Sequence, residues 1–176
     1  MSHQSSDHHV QHPSGGQAPL SITALLKPEA LNRFHRGEHH AIYELLGAHP
    51  VEVQMGDEVV QGTRFAVWAP NASRVAVVGD FNDWTPAADL PTPPPGHEAS
   101  GVKVGFVPHA HPGQLYQYAM RGPDGEQLPY KADPVAFAAE VAPKRASRVC
   151  APLNHVWSDQ AWMQTRQAKH QLDRPV

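Results

Sequence analysis

What the chain lacks narrows it first. A single cysteine, Cys150, among 176 residues excludes an internal disulfide framework and fits a reducing compartment. Basic residues do not exceed acidic ones. Lys and Arg number 14, Asp and Glu 17, and the formal net charge is -3. A nucleic-acid-binding surface is usually basic, so no nucleic-acid partner is expected. No apolar run approaches the roughly 18 residues needed to span a bilayer. Residues 1–17 also lack the apolar stretch of a secretory signal. The expectation is a cytoplasmic chain with no membrane partner. Gly-x-Ser-x-Gly, a phosphate loop, Cys-x-x-Cys and a zinc helix are all missing. Ser, His and Asp are present, but no spacing orders them into a triad. No catalytic residue, metal or cofactor is therefore expected.

What is abundant is proline and glycine, 18 and 13 residues. These suit short strands with frequent turns better than a helical bundle. The length allows one domain that buries a real core without staples.

Residues 1–20 read as a polar, disordered tail carrying His3, His8, His9 and His12. A His-rich tract can bind metal. Here no Cys or spaced carboxylate completes a site, so the tail reads as a flexible extension. Residues 21–48 read as a short helical segment in two pieces. Pro28 suits a first helical position, with Leu31 and Phe34 on one face and Gly37 as the stop. A second helix over Ala41 to Leu46 closes at Gly47. His35, His39 and His40 surround the break and read as capping or packing residues.

Strands follow. Val51, Val53 and Met55 alternate with polar residues. Phe65 and Val67 face one way, Arg64, Ala66 and Trp68 the other. Val75 and Val77 oppose Ala76 and Val78, apolar on both faces as in a central strand. Further strands are expected at 102–107 and 114–121, with weaker ones at 135–137 and 147–150. Pro123-Asp124-Gly125 is a turn. Trp68, Tyr116 and Tyr118 read as core residues. This spacing predicts a mainly β domain, an antiparallel β-sandwich over 49–153. The proline-rich 85–100 is its long loop. Residues 154–176 read as a helical linker, with its helix over 158–171, Ser158 as N-cap, and Trp157 and Trp162 as anchors.

Two readings compete at Gly79-Asp80-Phe81-Asn82-Asp83-Trp84. Asp80 and Asp83 form a conceivable carboxylate pair for glycoside hydrolysis. Alternatively, the Asp and Asn side chains satisfy the turn's own backbone, and the second reading is preferred. Trp84 either packs over the sandwich or, with Asn82, offers a ring and an amide to a sugar, the pairing expected at ligand sites.

Several segments together resemble a known family. They are Tyr43-Glu44-Leu45-Leu46-Gly47-Ala48-His49, Trp68-Ala69-Pro70-Asn71-Ala72, Val77-Val78-Gly79-Asp80-Phe81-Asn82 with Trp84, Pro112-Gly113-Gln114-Leu115-Tyr116, Gly122-Pro123-Asp124-Gly125 and Lys131-Ala132-Asp133-Pro134 with Phe137. In this order the chain resembles, over about residues 24–176, the N-terminal part of bacterial glycogen branching enzymes, of the α-amylase superfamily and glycoside hydrolase family 13. The resemblance implies a family 48 carbohydrate-binding module with an immunoglobulin-like sandwich, preceding a (β/α)₈ barrel that this length leaves no room for. It implies α-glucan (glycogen) as ligand, and the barrel or another chain as partner. Gln117 stands where related modules carry a sugar-contacting lysine. Trp84, Asn82 and Gln117 are thus the candidate carbohydrate contacts. The alternatives are a noncatalytic N-terminal module of a branching enzyme, a stand-alone α-glucan-binding module, and a protein-interaction module.

Overall fold

The computed structural model describes residues 20–21, 25–86, 90, 98–151 and 158–169. The tail before Leu20, most of the proline-rich loop and Trp157 lie outside the described residues.

Alternation along the strands sets the layers. The first sheet runs in the order β1 (Leu20–Ser21), β2 (Gly47–Met55), β3 (Glu58–Trp68) and β5 (Val102–Pro108). The second runs in the order β4 (Arg74–Gly79), β6 (Leu115–Arg121), β8 (Ser147–Arg148) and β7 (Ala138–Ala139). Every described strand pairing is antiparallel except β1 with β2, where Leu20 and Ser21 run parallel to Val53 and Gln54. The two sheets pack face to face as an immunoglobulin-like β-sandwich, as expected. Phe65 and Val67 of the first sheet meet Val75, Val77, Tyr116 and Tyr118 of the second in the central core. Gly62 of β3 has no room for a side chain, since a Cβ there would lie 2.4 Å from the Val107 carbonyl and 2.6 Å from the Phe106 ring.

The opposite face of the first sheet is covered by the chain's own helices. Ala66, Val102 and Val104 pack with Leu26, Leu31, Leu45 and Leu46. Leu31 sits on α1 (Pro28–His35), which begins with Pro28 as expected and exposes Glu29 in its first turn. Gly37, at φ +71°, donates to Phe34 O while Glu38 N–H reaches Arg33 O. This is a Schellman stop, and the left-handed φ is why glycine stands there. α2 (Ile42–Leu45) is one turn long and ends before Gly47.

Two basic side chains hold the end of α2. His49 and Arg64 face each other across β2 and β3. Arg64, only 5% exposed, donates through Nη1 to Leu45 O (2.8 Å) and through Nη2 to Glu44 O (3.1 Å). His49 Nε2 donates to Leu46 O at 2.9 Å. Carbonyls left over at a helix C-terminus attract cations and other donors, and here the neighbouring strands supply the Arg64 guanidinium and the His49 ring N–H. Burial lowers the Arg64 pKa to about 10, so the guanidinium still carries its charge at neutral pH.

A second buried network ties the sandwich together. Asp133 Oδ2 accepts from Tyr116 Oη (2.7 Å) and Tyr118 Oη (3.1 Å). Its Oδ1 accepts from Val135 N–H, and its own N–H reaches Ser147 Oγ. Burial, followed by the neighbouring Asp133 carboxylate, raises both tyrosine pKa values far above the usual phenol range. Both rings are core residues, as expected.

Five expectations are corrected. β4 is apolar on both faces but is an edge strand of its sheet. Its outer face is covered by Trp84 rather than by another strand. Trp68 is not core: it ends β3 on the outer face, is 55% exposed, donates to Ser100 O and meets Phe34 edge-on. Residues 135–137 form a turn, held by the Asp133 side chain, and the strand begins only at Ala138. The last helix, α3, covers Gln160–Lys169, and Asp159 rather than Ser158 precedes it. Trp162 anchors nothing described: it is exposed and carries Arg166 over its ring at 5.8 Å.

Candidate functional site

The candidate site grows from the turn that ends β4. Gly79 has no Cβ, and one would lie 2.3 Å from Leu115 O and 2.9 Å from the Phe81 ring. This close approach lets the chain curl into a short 3₁₀ turn over Asp80–Asn82. Asn82 closes the turn, accepting from Gly79 N–H at 2.8 Å and donating to Val77 O at 2.9 Å. Asp80 is used on both oxygens. Oδ1 accepts from Trp84 Nε1 (3.1 Å) and Oδ2 from Leu115 N–H (2.8 Å). The turn-satisfying reading of these side chains therefore describes the geometry, and Asp80 offers no free carboxylate for hydrolysis.

The same turn places Trp84. Asp83 and Trp84 follow at φ 51° and 58°, two consecutive non-glycine residues in the left-handed region. Such conformations cost of order 1 kcal/mol each and persist where surrounding contacts overdetermine them. Here Trp84 N–H bonds to Gly79 O, and the indole bonds to Asp80. The result lays the ring against Ala76, Val78 and Ala119 on the outer face of the second sheet. Both readings of Trp84 meet in this position: the ring packs on the sandwich, yet it is only half-buried.

Gln117 lies on the same face. Its register partner is Val78, one of the residues under Trp84. Its side chain reaches toward Arg145 O at 3.5 Å, at the limit of a hydrogen bond. Beyond it, the β7–β8 hairpin lines an open groove of about 430 Å³ formed by residues 139–144 and Arg148. Glu140 holds Ala146 N–H there and pairs with Lys144 at 3.5 Å. The structure thus brings Trp84 and Gln117 onto one face, while the Asn82 amide is occupied inside its turn. Sequence reasoning gave a strand at 147–150, which contains β8, but missed β7 and the hairpin pairing, because strands of two residues are too short to leave a period-two signal.

An aromatic ring beside amide and charged groups, on a shallow floor of small residues, suits a ligand with apolar C–H faces and many hydroxyls. Among the described residues no group of three or more His, Cys, Asp or Glu could hold a metal ion. No described helix is long and apolar enough to cross a membrane.

Comparison with known proteins gives the family. The chain is 48% identical over 158 residues to the 1,4-alpha-glucan branching enzyme GlgB 1 of Xanthomonas campestris pv. campestris (strain 8004), covering 90% of this chain and 21% of that protein. It is 46% identical over 142 residues to the GlgB of Cereibacter sphaeroides, covering 80% of this chain and 18% of the relative. With the GlgB of Pseudomonas syringae pv. syringae (strain B728a) it shares 38% identity over 181 residues, 96% of this chain and 23% of the relative. The chain therefore spans about a fifth of the length of these relatives. Residues 45–136 match the model of carbohydrate-binding module 48 (isoamylase N-terminal domain). That match includes β2 to β6, the Trp84 turn and Asp133 with its two tyrosines, and the chain belongs to the carbohydrate-binding module 48 family.

Proposed function

We propose that this chain is the N-terminal α-glucan-binding module of a glycogen branching enzyme, working in the cytoplasm and not catalytic by itself. The observation that carries the reading is the strained turn that spends two left-handed residues, Asp83 and Trp84, to hold an indole half-exposed above Ala76, Val78 and Ala119. Family membership supports carbohydrate as the ligand class. The names of the relatives point to 1,4-α-glucan and to branching as the activity of the longer chain. Trp84 would stack on a sugar face and Gln117 would meet hydroxyls. Asn82 acts by shaping the turn.

Affinity electrophoresis in a glycogen-containing gel tests this. The chain should be retarded, and Trp84→Ala should migrate as in a gel without glycogen. An unretarded parent chain, or equal retardation of the variant, overturns the proposed platform.

A further inference from the structure

We propose that the groove of the β7–β8 hairpin takes the phosphate of a phosphorylated α-glucan, held by Arg148 and Lys144, an inference that rests on the function proposed above. The hairpin reverses the charge of the chain. The net charge of the whole is -3, yet residues 140–148 hold the cations Lys144, Arg145 and Arg148 against one carboxylate, Glu140. Lys144, Arg148 and Glu140 line the groove of about 430 Å³. A concave surface with an excess of one charge concentrates counter-ions.

Glu140 is committed to the hairpin itself. One oxygen accepts from Ala146 N–H at 3.3 Å, and the other stands 3.5 Å from Lys144 Nζ. The Lys144 side chain is 73% exposed, and so exposed a pair contributes little. Lys144 therefore turns to an incoming anion at small cost. Arg148 is fixed instead, because its Nη1 donates to Gly113 O. A guanidinium has five N–H groups, so this bond orients the fork and leaves donors for a ligand. Such a fork matches two oxygens of a phosphate. The groove walls are short aliphatic side chains and Pro143, with no aromatic ring among them. A neutral sugar has no ring to stack on there, whereas a phosphate needs only donors and charge.

Register joins the groove to the Trp84 platform. Arg148 stands directly opposite Leu115. Leu115 N–H bonds to one oxygen of Asp80, and the other oxygen holds the Trp84 indole. Gln117 is two residues along β6 from Leu115, on the same face, and reaches Arg145 O. Arg148 on β8 and the β4 residues beneath Trp84 are thus two strands apart, about 10 Å at the usual spacing. A glucan lying across β6 with one unit on Trp84 brings a phosphate ester on a neighbouring unit to the groove.

Affinity electrophoresis tests this by comparing gels of phosphorylated amylopectin with gels of the same polymer after phosphatase treatment. The full chain should be retarded by both. Its dissociation constant should be about threefold lower for the phosphorylated polymer at about 50 mM salt, and most of that advantage should vanish at about 500 mM. Lys144→Gln should reduce the advantage. Lys144→Gln with Arg148→Gln should abolish it, with retardation by the dephosphorylated polymer unchanged, which also shows that the variant folds. Equal retardation of the parent chain by the two polymers overturns the anion subsite. So does an advantage that survives in the double variant, or loss of its retardation by the dephosphorylated polymer. Retardation of the parent by neither polymer counts instead against the proposed function. The subsite is then decided by NMR titration of the labelled chain, in which glucose 6-phosphate should shift the backbone amides of Lys144 and Arg148 and glucose should not. No such shift, or tighter binding of inorganic phosphate than of the ester, overturns it.

Discussion

The two sheets of this sandwich each have an outer face, and the two faces are finished differently. On the first sheet, Ala66, Val102 and Val104 lie under leucines from α1, α2 and the segment before them. On the second, Ala76, Val78 and Ala119 lie under one indole. Both strand patterns are apolar on both sides, so both faces need cover. The first is sealed by bulky aliphatic side chains of helices held with a Schellman stop and a buried arginine. The second is covered by a single ring that stays half open to water. Sealing a face yields stability; covering it with one ring leaves a surface that can take a ligand.

The largest expected effect breaks the sealed face. Leu31 is almost fully buried among Leu26, Leu45 and Leu46. Leu31→Ala should cost about 2–5 kcal/mol and lower Tm by about 5–15 °C, read by thermal unfolding. At a temperature where the variant is folded, its retardation in glycogen gels should match the parent. Loss of retardation there would mean that the two faces are not separate.

A smaller effect is expected beneath the ring. Ala119 forms part of the floor under Trp84, so Ala119→Leu must lift or displace the indole. Overpacking of this kind costs about 1–3 kcal/mol. Retardation should fall toward that of Trp84→Ala, although the tryptophan is still present. A variant destabilised but fully retarded would show that ring position is irrelevant to binding.

Smaller again is the effect at Asp80, which touches the ring only through the indole N–H. Asp80→Ala frees both Trp84 Nε1 and Leu115 N–H, groups that water can reach. It should cost about 1 kcal/mol and weaken glycogen binding severalfold, measured from retardation against glycogen concentration. No change in either would remove Asp80 from the platform.

The same contrast explains how much the sequence disclosed. Alternation in β3, β4 and β6 is long enough to give the sandwich and its core, and Pro28 and Gly37 mark α1 correctly. The Trp84 turn was legible as a turn because Asn82 and Asp80 have the chemistry to bond their own backbone. Its orientation was not. Two apolar faces on β4 suggested a central strand, since no local signal says that a residue five or more positions later will fold back over Ala76 and Val78. Trp68 failed for the complementary reason: alternation assigned it to the outer face, but not how far the helical cover extends along β3. Gln117 entered through the family resemblance, and its register with Val78 puts it beside the ring, while of the neighbouring hairpin only the β8 strand was legible. The caps on α2 are cross-strand neighbours, His49 and Arg64, fifteen positions apart, and only register brings them together.

Those caps give the finest test of the sealed face. The His49 pKa is lowered, first by burial and then by Arg64, while backbone groups of Leu46 and Tyr43 and the charge of Asp133 pull it upward. Above the ordinary histidine value of about 6.5, the ring is neutral folded and unfolded, and its contribution is fully present. As pH falls below that value, the unfolded chain takes up the proton first, so stability is lost until the pH reaches the lower folded value. Urea midpoints should therefore drop further between pH 7 and pH 5 in the parent than in His49→Gln, which keeps an amide donor for Leu46 O but cannot titrate. Other histidines contribute equally to both proteins and cancel in the difference. Equal drops would mean that folding does not disfavour the charged form of His49, and that the sealed face does not respond to pH through its cap.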